Sequence, residues 1–164
     1  METDPTSAND GLDPIRGLLG SWRGHGQVVF RGETFHYAEE MTFELGGGRA
    51  DFPFVAFAQR AWDEDSGETM HMERGMWRVH EGGTVDVTLA HPIGVTEIAE
   101  GTVRGGAIRL TSVRIQVGER GLPVTSLRRD YDLDHEELRY HIQLATGDIP
   151  LFEHLVGTLR RASA

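Results

Sequence analysis

One histidine stands in an apolar stretch near the end of the chain, at residues 150–160 (PLFEHLVGTLR). If this stretch is a β-strand with period two, Phe152, His154 and Val156 share one face and three leucines share the other. A buried imidazole needs a partner, because an unsatisfied buried polar group costs roughly 1–3 kcal/mol. Residue types alone leave two interpretations open for His154: a core histidine bonded to a carbonyl, or a ligand of a metal or cofactor.

A second constellation combines a histidine with an acid. His71 and Glu73 lie two residues apart, hence on one strand face, and supply two ligand types that zinc prefers. No third ligand is evident nearby in sequence, so a hydrogen-bonded pair is the simpler interpretation. His91 precedes Pro92 and is expected to mark a turn at a strand end. His135 stands among turn acids, where we expect it to be solvated.

Composition limits the classes of function. The 164 residues carry 16 Lys plus Arg against 26 Asp plus Glu, a net charge of −10 that disfavours nucleic acids and anionic membranes as partners. The absence of cysteine excludes disulfides, zinc–thiolate sites, iron–sulfur clusters, cysteine nucleophiles and covalent c-type haem. The N-terminus has no apolar signal core, and no apolar run approaches a membrane span of ~20 residues. We expect a cytoplasmic protein, and a monomer and a homodimer are both compatible with the sequence.

The elements that must position these residues are short strands. Twenty-one glycines punctuate alternating segments rich in Val, Thr, Phe and Tyr. Sequential strands joined by tight turns favour an all-β, ten-stranded antiparallel up-and-down barrel, with a bulge near Ser112. Ten strands should enclose a ligand-sized cavity. The predicted strands are residues 20–31, 34–46, 52–63, 69–80, 83–91, 94–102, 106–117, 122–133, 136–146 and 149–161.

The N-terminal region divides into two parts. Residues 1–12 are polar and are expected to form a disordered leader, and residues 13–164 a single barrel domain. Asp13 followed by Pro14 predicts a helix start and one or two helical turns.

The first predicted strand contains Gly20, Trp22, Gly24 and Gly26 at alternate positions. One indole followed by two positions without a side chain allows the strand to bend or approach another backbone closely. We therefore expect Trp22 to plug one end of the barrel.

Six motifs in this order resemble the nitrobindins, a family of haem-binding ten-stranded barrels shaped like fatty-acid-binding proteins. The resemblance covers roughly residues 13–161, and the order and spacing of the motifs make it specific. The motifs are Gly20-Ser21-Trp22-Arg23-Gly24-His25-Gly26 (G-x-W-x-G-x-G), Phe35-His36-Tyr37-Ala38-Glu39-Glu40, His71-Met72-Glu73-Arg74-Gly75-Met76-Trp77-Arg78, Leu89-Ala90-His91-Pro92-Ile93-Gly94-Val95-Thr96-Glu97-Ile98, Arg129-Asp130-Tyr131 and Glu153-His154-Leu155.

The resemblance implies a cofactor and a chemistry. His154 matches the family's proximal axial ligand of a non-covalent b-type haem, one per chain, with Phe152 and Val156 packing on the porphyrin. The family's iron is stable as ferric, binds nitric oxide and isomerises peroxynitrite to nitrate. One departure is the stretch at residues 28–33, which lacks the family's Y-P-T-I sequence. Arg31 in this stretch is a candidate partner for a haem propionate, and an exposed loop arginine is the simpler interpretation.

An alternative function is carriage of a fatty acid or another apolar carboxylate in the barrel cavity. Arg129 and Tyr131 lie two residues apart on one strand face and together can hold a carboxylate. Fatty-acid-binding proteins place such a pair in their final strands, whereas this pair lies in the eighth, which favours haem.

Overall fold

The computed structural model describes residues 7–46 and 52–163, with residues 7–10 described by their backbone only. Ten antiparallel strands pair in chain order and β1 closes on β10, so the predicted up-and-down barrel is confirmed. The strands are β1 (Gly20–Phe30), β2 (Glu33–Leu45), β3 (Val55–Asp63), β4 (Thr69–His80), β5 (Thr84–His91), β6 (Val95–Arg104), β7 (Ala107–Val117), β8 (Val124–Asp134), β9 (Glu137–Thr146) and β10 (Phe152–Arg161).

Turn chemistry and a bulge account for the register. Gly82, Gly83 and Gly105 have positive φ angles in the turns that reverse the chain, a conformation that costs glycine little. Ile98 of β6 pairs with Arg114 while Ala99 pairs with Ser112, so β7 contains one extra residue at this point. The predicted bulge near Ser112 is confirmed.

The N-terminal helix is longer than predicted. A 3₁₀ helix spans Ser7–Leu18, so it begins before Asp13 and includes residues assigned above to a disordered leader. The reason is a three-residue spacing: Leu12, Ile15 and Leu18 are all buried, and three residues per turn align them on one face. Residues 1–6 of the expected leader lie outside the described residues. No helix in the described part of the chain is long and apolar enough to cross a membrane.

Trp22 closes one end of the barrel beside this helix, as expected. Its indole is fully buried, donates a hydrogen bond to the Leu18 carbonyl (2.7 Å) and lies 4.3 Å beneath the Arg161 guanidinium. A Cβ at Gly24 would collide with the Thr158 carbonyl, so β10 can approach β1 only because this position is glycine.

Aromatic rings fill the same half of the barrel. Phe43 packs on Phe57 with ring centroids 5.0 Å apart, and Trp77 lies 5.7 Å from Phe43 and 5.4 Å from Tyr131. Edge-to-face packing of this kind leaves little free volume. The half of the barrel near the helix, which we call the packed end, is therefore closed.

Candidate functional site

The opposite half of the barrel, the cavity end, contains a cavity of about 290 Å³. Its size is close to the lower bound of small-molecule sites, about 300 Å³. Most of its wall is apolar, with Val28, Phe30 and Leu144 among the lining residues, and a small group of polar side chains interrupts it. Such a surface suits a mostly apolar ligand fixed by a few polar contacts.

His154 lines this cavity because of a bulge in β10. Glu153 pairs with Gln143 and Leu155 pairs with Ile142, so His154 is the inserted residue. As a result His154 and Leu155 both line the cavity, although strict alternation put them on opposite faces. The predicted face assignment was wrong at this point.

The imidazole of His154 is held in a defined tautomer. Its Nδ1 lies 2.9 Å from the Val29 carbonyl, which can only accept, so Nδ1 carries the proton and the Nε2 lone pair is available to a Lewis acid. Burial lowers the pKa of His154 below its ordinary value, which favours the neutral, ligating form. The rings of Phe152 (5.7 Å) and Phe30 (6.1 Å) flank the imidazole edge-on.

Two other site residues expected from the sequence, Arg31 and Val156, do not line the cavity. Arg31 is exposed in the turn after β1, with its guanidinium 5.4 Å from the ring of Phe30, which lines the cavity. Val156 pairs with Gln27 and is not among the cavity-lining residues of the described chain. Because the bulge resets the alternation after His154, Val156 faces away from the cavity.

A buried charge cluster forms part of the cavity wall. The Arg129 guanidinium, 1% exposed, binds Glu73 with two hydrogen bonds of 3.0 Å and donates to Glu97 at 2.8 Å. Burial opposes ionisation of Glu73, but Arg129 together with the hydrogen bonds from His71 and His91 outweighs it and holds the pKa of this carboxyl well below its ordinary value. The pKa of Glu97 is lowered by the same guanidinium against the same burial penalty. Glu73, Glu97 and Arg129 therefore carry their charges, and each buried charge has an opposite charge beside it.

Two histidines complete this cluster. His91 lies between two carboxylates, with Nδ1 3.3 Å from Glu73 and Nε2 3.2 Å from Glu97. Burial lowers the pKa of His91, but the hydrogen bonds to Glu73 and Glu97 outweigh it and raise the pKa to about 9. His71 approaches Glu73 at 3.2 Å, so the predicted His71–Glu73 pair forms. His91 ends β5 before the turn at Pro92, as expected, but it also takes part in this cluster, which was not predicted. His135 is exposed in its turn, as expected.

A second polar cluster lies on the other wall. Buried Glu39 accepts hydrogen bonds from Gln59 (2.7 Å) and Tyr140 (2.7 Å), and the Tyr140 hydroxyl also bonds that of Tyr37. Burial raises the pKa of Glu39 to about 7, because few neighbouring charges compensate for the loss of water. Gly26 gives the Tyr37 ring its space, since a Cβ there would collide with it.

The anchor proposed for a fatty-acid carboxylate does not form. All three donor nitrogens of Arg129 are directed at Glu73 or Glu97, and Tyr131 packs against the Trp77 ring at the packed end. Four of the five N–H groups of Arg129 are bound to two carboxylates, so the guanidinium has no excess positive charge with which to hold a third carboxylate. This geometry counts against the carrier function.

Sequence reasoning missed two members of the charge cluster, His91 and Glu97. Glu97 shares its strand parity with Val95 and Ala99, which are both buried, so period two alone places its carboxylate inside the barrel. An acid at an inward position is a signal that it has a cationic partner. The identity of that partner required the fold.

The closed ten-stranded barrel and the comparison with known families define the chain as a haem-binding beta-barrel. The sequence profile of the THAP4-like, heme-binding beta-barrel domain matches residues 11–161, and the chain belongs to this family, the nitrobindins.

Named relatives agree with this assignment. Peroxynitrite isomerase 1 of Mycolicibacterium paratuberculosis is 36% identical over 96% of this chain and 98% of its own length. Peroxynitrite isomerase 1 of Mycobacterium tuberculosis is 37% identical over 98% and 99%, and peroxynitrite isomerase of Streptomyces griseus is 36% identical over 92% and 83%.

Two solved structures share the fold. The crystal structure of Rv2717c from M. tuberculosis superposes with a TM-score of 0.84 at 34% identity, covering 94% of this chain and 98% of that one. The S-type phycobiliprotein lyase CPES from Guillardia theta gives a TM-score of 0.66 at 7% identity, covering 100% and 99%, and shows the fold alone.

Proposed function

We propose that this protein binds one ferric b-type haem per chain non-covalently, with His154 Nε2 as the axial ligand. We further propose that the bound haem binds nitric oxide and isomerises peroxynitrite to nitrate, the activity for which the relatives are named. The observation that carries the proposal is the geometry of His154: a neutral imidazole whose Nδ1–H is fixed by the Val29 carbonyl.

The residues around His154 fit such a group. A neutral imidazole with a fixed tautomer is a good ligand for haem iron, and the hydrogen bond from Nδ1 increases the basicity of Nε2. The apolar side chains Phe30, Leu144 and Leu155 provide a wall that a porphyrin can pack against. Arg31, which lies next to the Phe30 ring, is proposed to pair with a propionate, and Phe152 to support the imidazole edge-on. Val156 is not part of the proposed contact surface.

The contribution of the chain to the reaction is binding, orientation and exclusion of water. When bound, haem supplies a Lewis-acid iron at which the peroxo anion of the substrate is activated. His154 holds that group on one side, and the apolar wall limits the escape of reactive species and the entry of water. The absence of cysteine suits a protein that handles an oxidant, because the chain has no thiol that the oxidant could consume.

Haem titration of His154→Ala tests the ligand assignment. The wild type should show a saturable Soret band at one haem per chain, and the variant should bind at least about a hundredfold more weakly with a shifted band. His36→Ala, which removes an exposed histidine from β2, is the matched control and should titrate like the wild type. Identical spectra for wild type and His154→Ala would overturn the assignment.

Stopped-flow mixing with peroxynitrite tests the activity separately. The haem-loaded wild type should accelerate nitrate formation, and His154→Ala at the same total haem should not. If haem binds as proposed but nitrate forms at the uncatalysed rate, the isomerase part of the proposal fails while the haem part stands. Saturable binding of a fluorescent fatty acid that haem does not displace would instead support the carrier function.

A further inference from the structure

Three potential metal ligands converge on the cavity wall, separate from His154. His71 Nε2 lies 3.2 Å from Glu73 Oε1, His91 Nδ1 lies 3.3 Å from the same oxygen, and the three ligand atoms are all within 4.8 Å of one another. They come from β4 and from the last residue of β5, so rigid paired strands hold them. We propose that His71, Glu73 and His91 bind a divalent transition-metal ion of the zinc type, independently of haem.

The donor set and its spacing suit such an ion. Two imidazole nitrogens and one carboxylate oxygen are a ligand set of zinc sites that keep an open position. Ligand bonds of roughly 2.0–2.1 Å in tetrahedral geometry separate the ligand atoms by about 3.3 Å. The His71–Glu73 and His91–Glu73 separations have this value, so an ion can enter without rebuilding the strands.

Neighbouring groups already orient two of the three ligands. Glu97 accepts from His91 Nε2 at 3.2 Å, the carboxylate–histidine arrangement that fixes the tautomer of a metal-bound imidazole. Arg129 holds both oxygens of Glu73. Glu97 and Arg129 thus fix the ligand atoms of Glu73 and His91 in place. A simple hydrogen-bonded pair of His71 and Glu73 would require neither of these contacts.

Charge and access also favour a cation. The two carboxylates of Glu73 and Glu97 face one guanidinium, Arg129, so one negative charge is left over. A protonated His91 balances this charge in the metal-free protein, and a metal ion would replace that proton. A metal ion would take the place of the N–H hydrogens that His71 and His91 direct at Glu73. All three ligand residues line the cavity, and the His71 side chain is 24% exposed, so an ion can reach them and an external ligand can complete its coordination.

Titration of the full-length haem-free protein with Co²⁺ tests the site, because tetrahedral Co²⁺ absorbs visibly and Zn²⁺ should displace it. We expect saturable 1:1 binding that weakens at least about tenfold in His71→Ala. His71 is chosen because it is the most exposed of the three ligands, so its removal is the least disruptive to the fold. Circular dichroism of the variant checks that the barrel is intact.

Two controls separate this site from others. His154→Ala removes the other histidine of the cavity and should leave Co²⁺ binding unchanged, as should His36→Ala at the surface. No saturable binding in the wild type, or equal affinity in the wild type and His71→Ala, would overturn the proposal. Loss of binding in His154→Ala with retention in His71→Ala would assign the ion to the haem ligand instead. The haem titration above does not depend on any of these outcomes.

Discussion

The two ends of the barrel are built from the same strands but serve opposite purposes. At the packed end, Trp22, Trp77 and the buried face of the N-terminal helix fill the interior. At the cavity end, the same strands leave about 290 Å³ open and expose His154 and His71 to it. A ten-stranded barrel is too wide for its own side chains to fill, so the extra volume is filled at one end by large rings and a helix and is left for a ligand at the other.

The boundary between the two ends is polar, and this has a physical reason. Side chains that line a cavity are still inside the barrel, so each charged group there must find a partner. Arg129 with Glu73 and Glu97 satisfies this on one wall, and Glu39 with Tyr140 satisfies it on the other. The comparison predicts that substitutions at the packed end change stability and that substitutions at the cavity end change ligand binding.

The largest expected effect is a difference in the free energy of unfolding between a variant at the packed end and a variant at the cavity end. Trp77→Ala should lower the free energy of unfolding by about 3–5 kcal/mol, because it removes a fully buried indole from a packed aromatic cluster. His154→Ala should lower it by only about 1 kcal/mol, the loss of one hydrogen bond to the Val29 carbonyl. Urea denaturation of both haem-free variants measures this, and equal losses would break the comparison.

The next effect concerns pH and Glu39. Burial raises the pKa of Glu39 in the folded protein from 4.5 to about 7, so the unfolded chain releases this proton at lower pH than the folded chain does. The stabilisation is complete below pH 4.5 and is lost as the pH rises to about 7, a change of roughly 3 kcal/mol.

Glu39→Gln isolates this contribution. The stability of the variant relative to wild type should rise between pH 4.5 and about 7 and stay constant above it, as measured by urea denaturation across this range. Glu40→Gln, which alters the neighbouring acid on the opposite strand face, is the matched control. A pH-independent difference between wild type and Glu39→Gln would contradict the prediction.

The smallest expected effect is the difference in stability between the Phe variants of two tryptophans at the packed end. Trp22 Nε1 donates to the Leu18 carbonyl, whereas Trp77 Nε1 has no hydrogen-bond partner among the described residues. Both Phe substitutions remove similar volume, but only Trp22→Phe breaks a hydrogen bond, and Trp77→Phe removes an unsatisfied buried donor. Trp22→Phe should therefore be more destabilising by about 1–3 kcal/mol. A thermal or urea denaturation series that ranks them in reverse would show that Trp77 has a partner such as a buried water.

Much of the fold could be predicted from local patterns. Alternation and glycine turns are encoded over two to twelve residues, which is why all ten strands and the bulge near Ser112 were found. The predicted helix is too short because Pro14 indicates a helix start. The 3₁₀ helix begins at Ser7 and contains Pro14 in its interior. The candidate site was predicted only in part: His154 and the His71–Glu73 pair were identified, while His91 and Glu97 were not.

Local sequence patterns are enough to predict the barrel, the Trp22 plug and the histidine on which a cofactor hypothesis can rest. The residues that share the cavity with His154 depend on the folded barrel, because a single inserted residue in β10 turns Leu155 inward and Val156 outward. The folded barrel also decides the partners of Arg129, which lie 56 and 32 residues away in sequence at Glu73 and Glu97. Strand alternation is a local property, but register and cross-barrel pairing depend on how distant strands meet, and no short window of sequence contains that information.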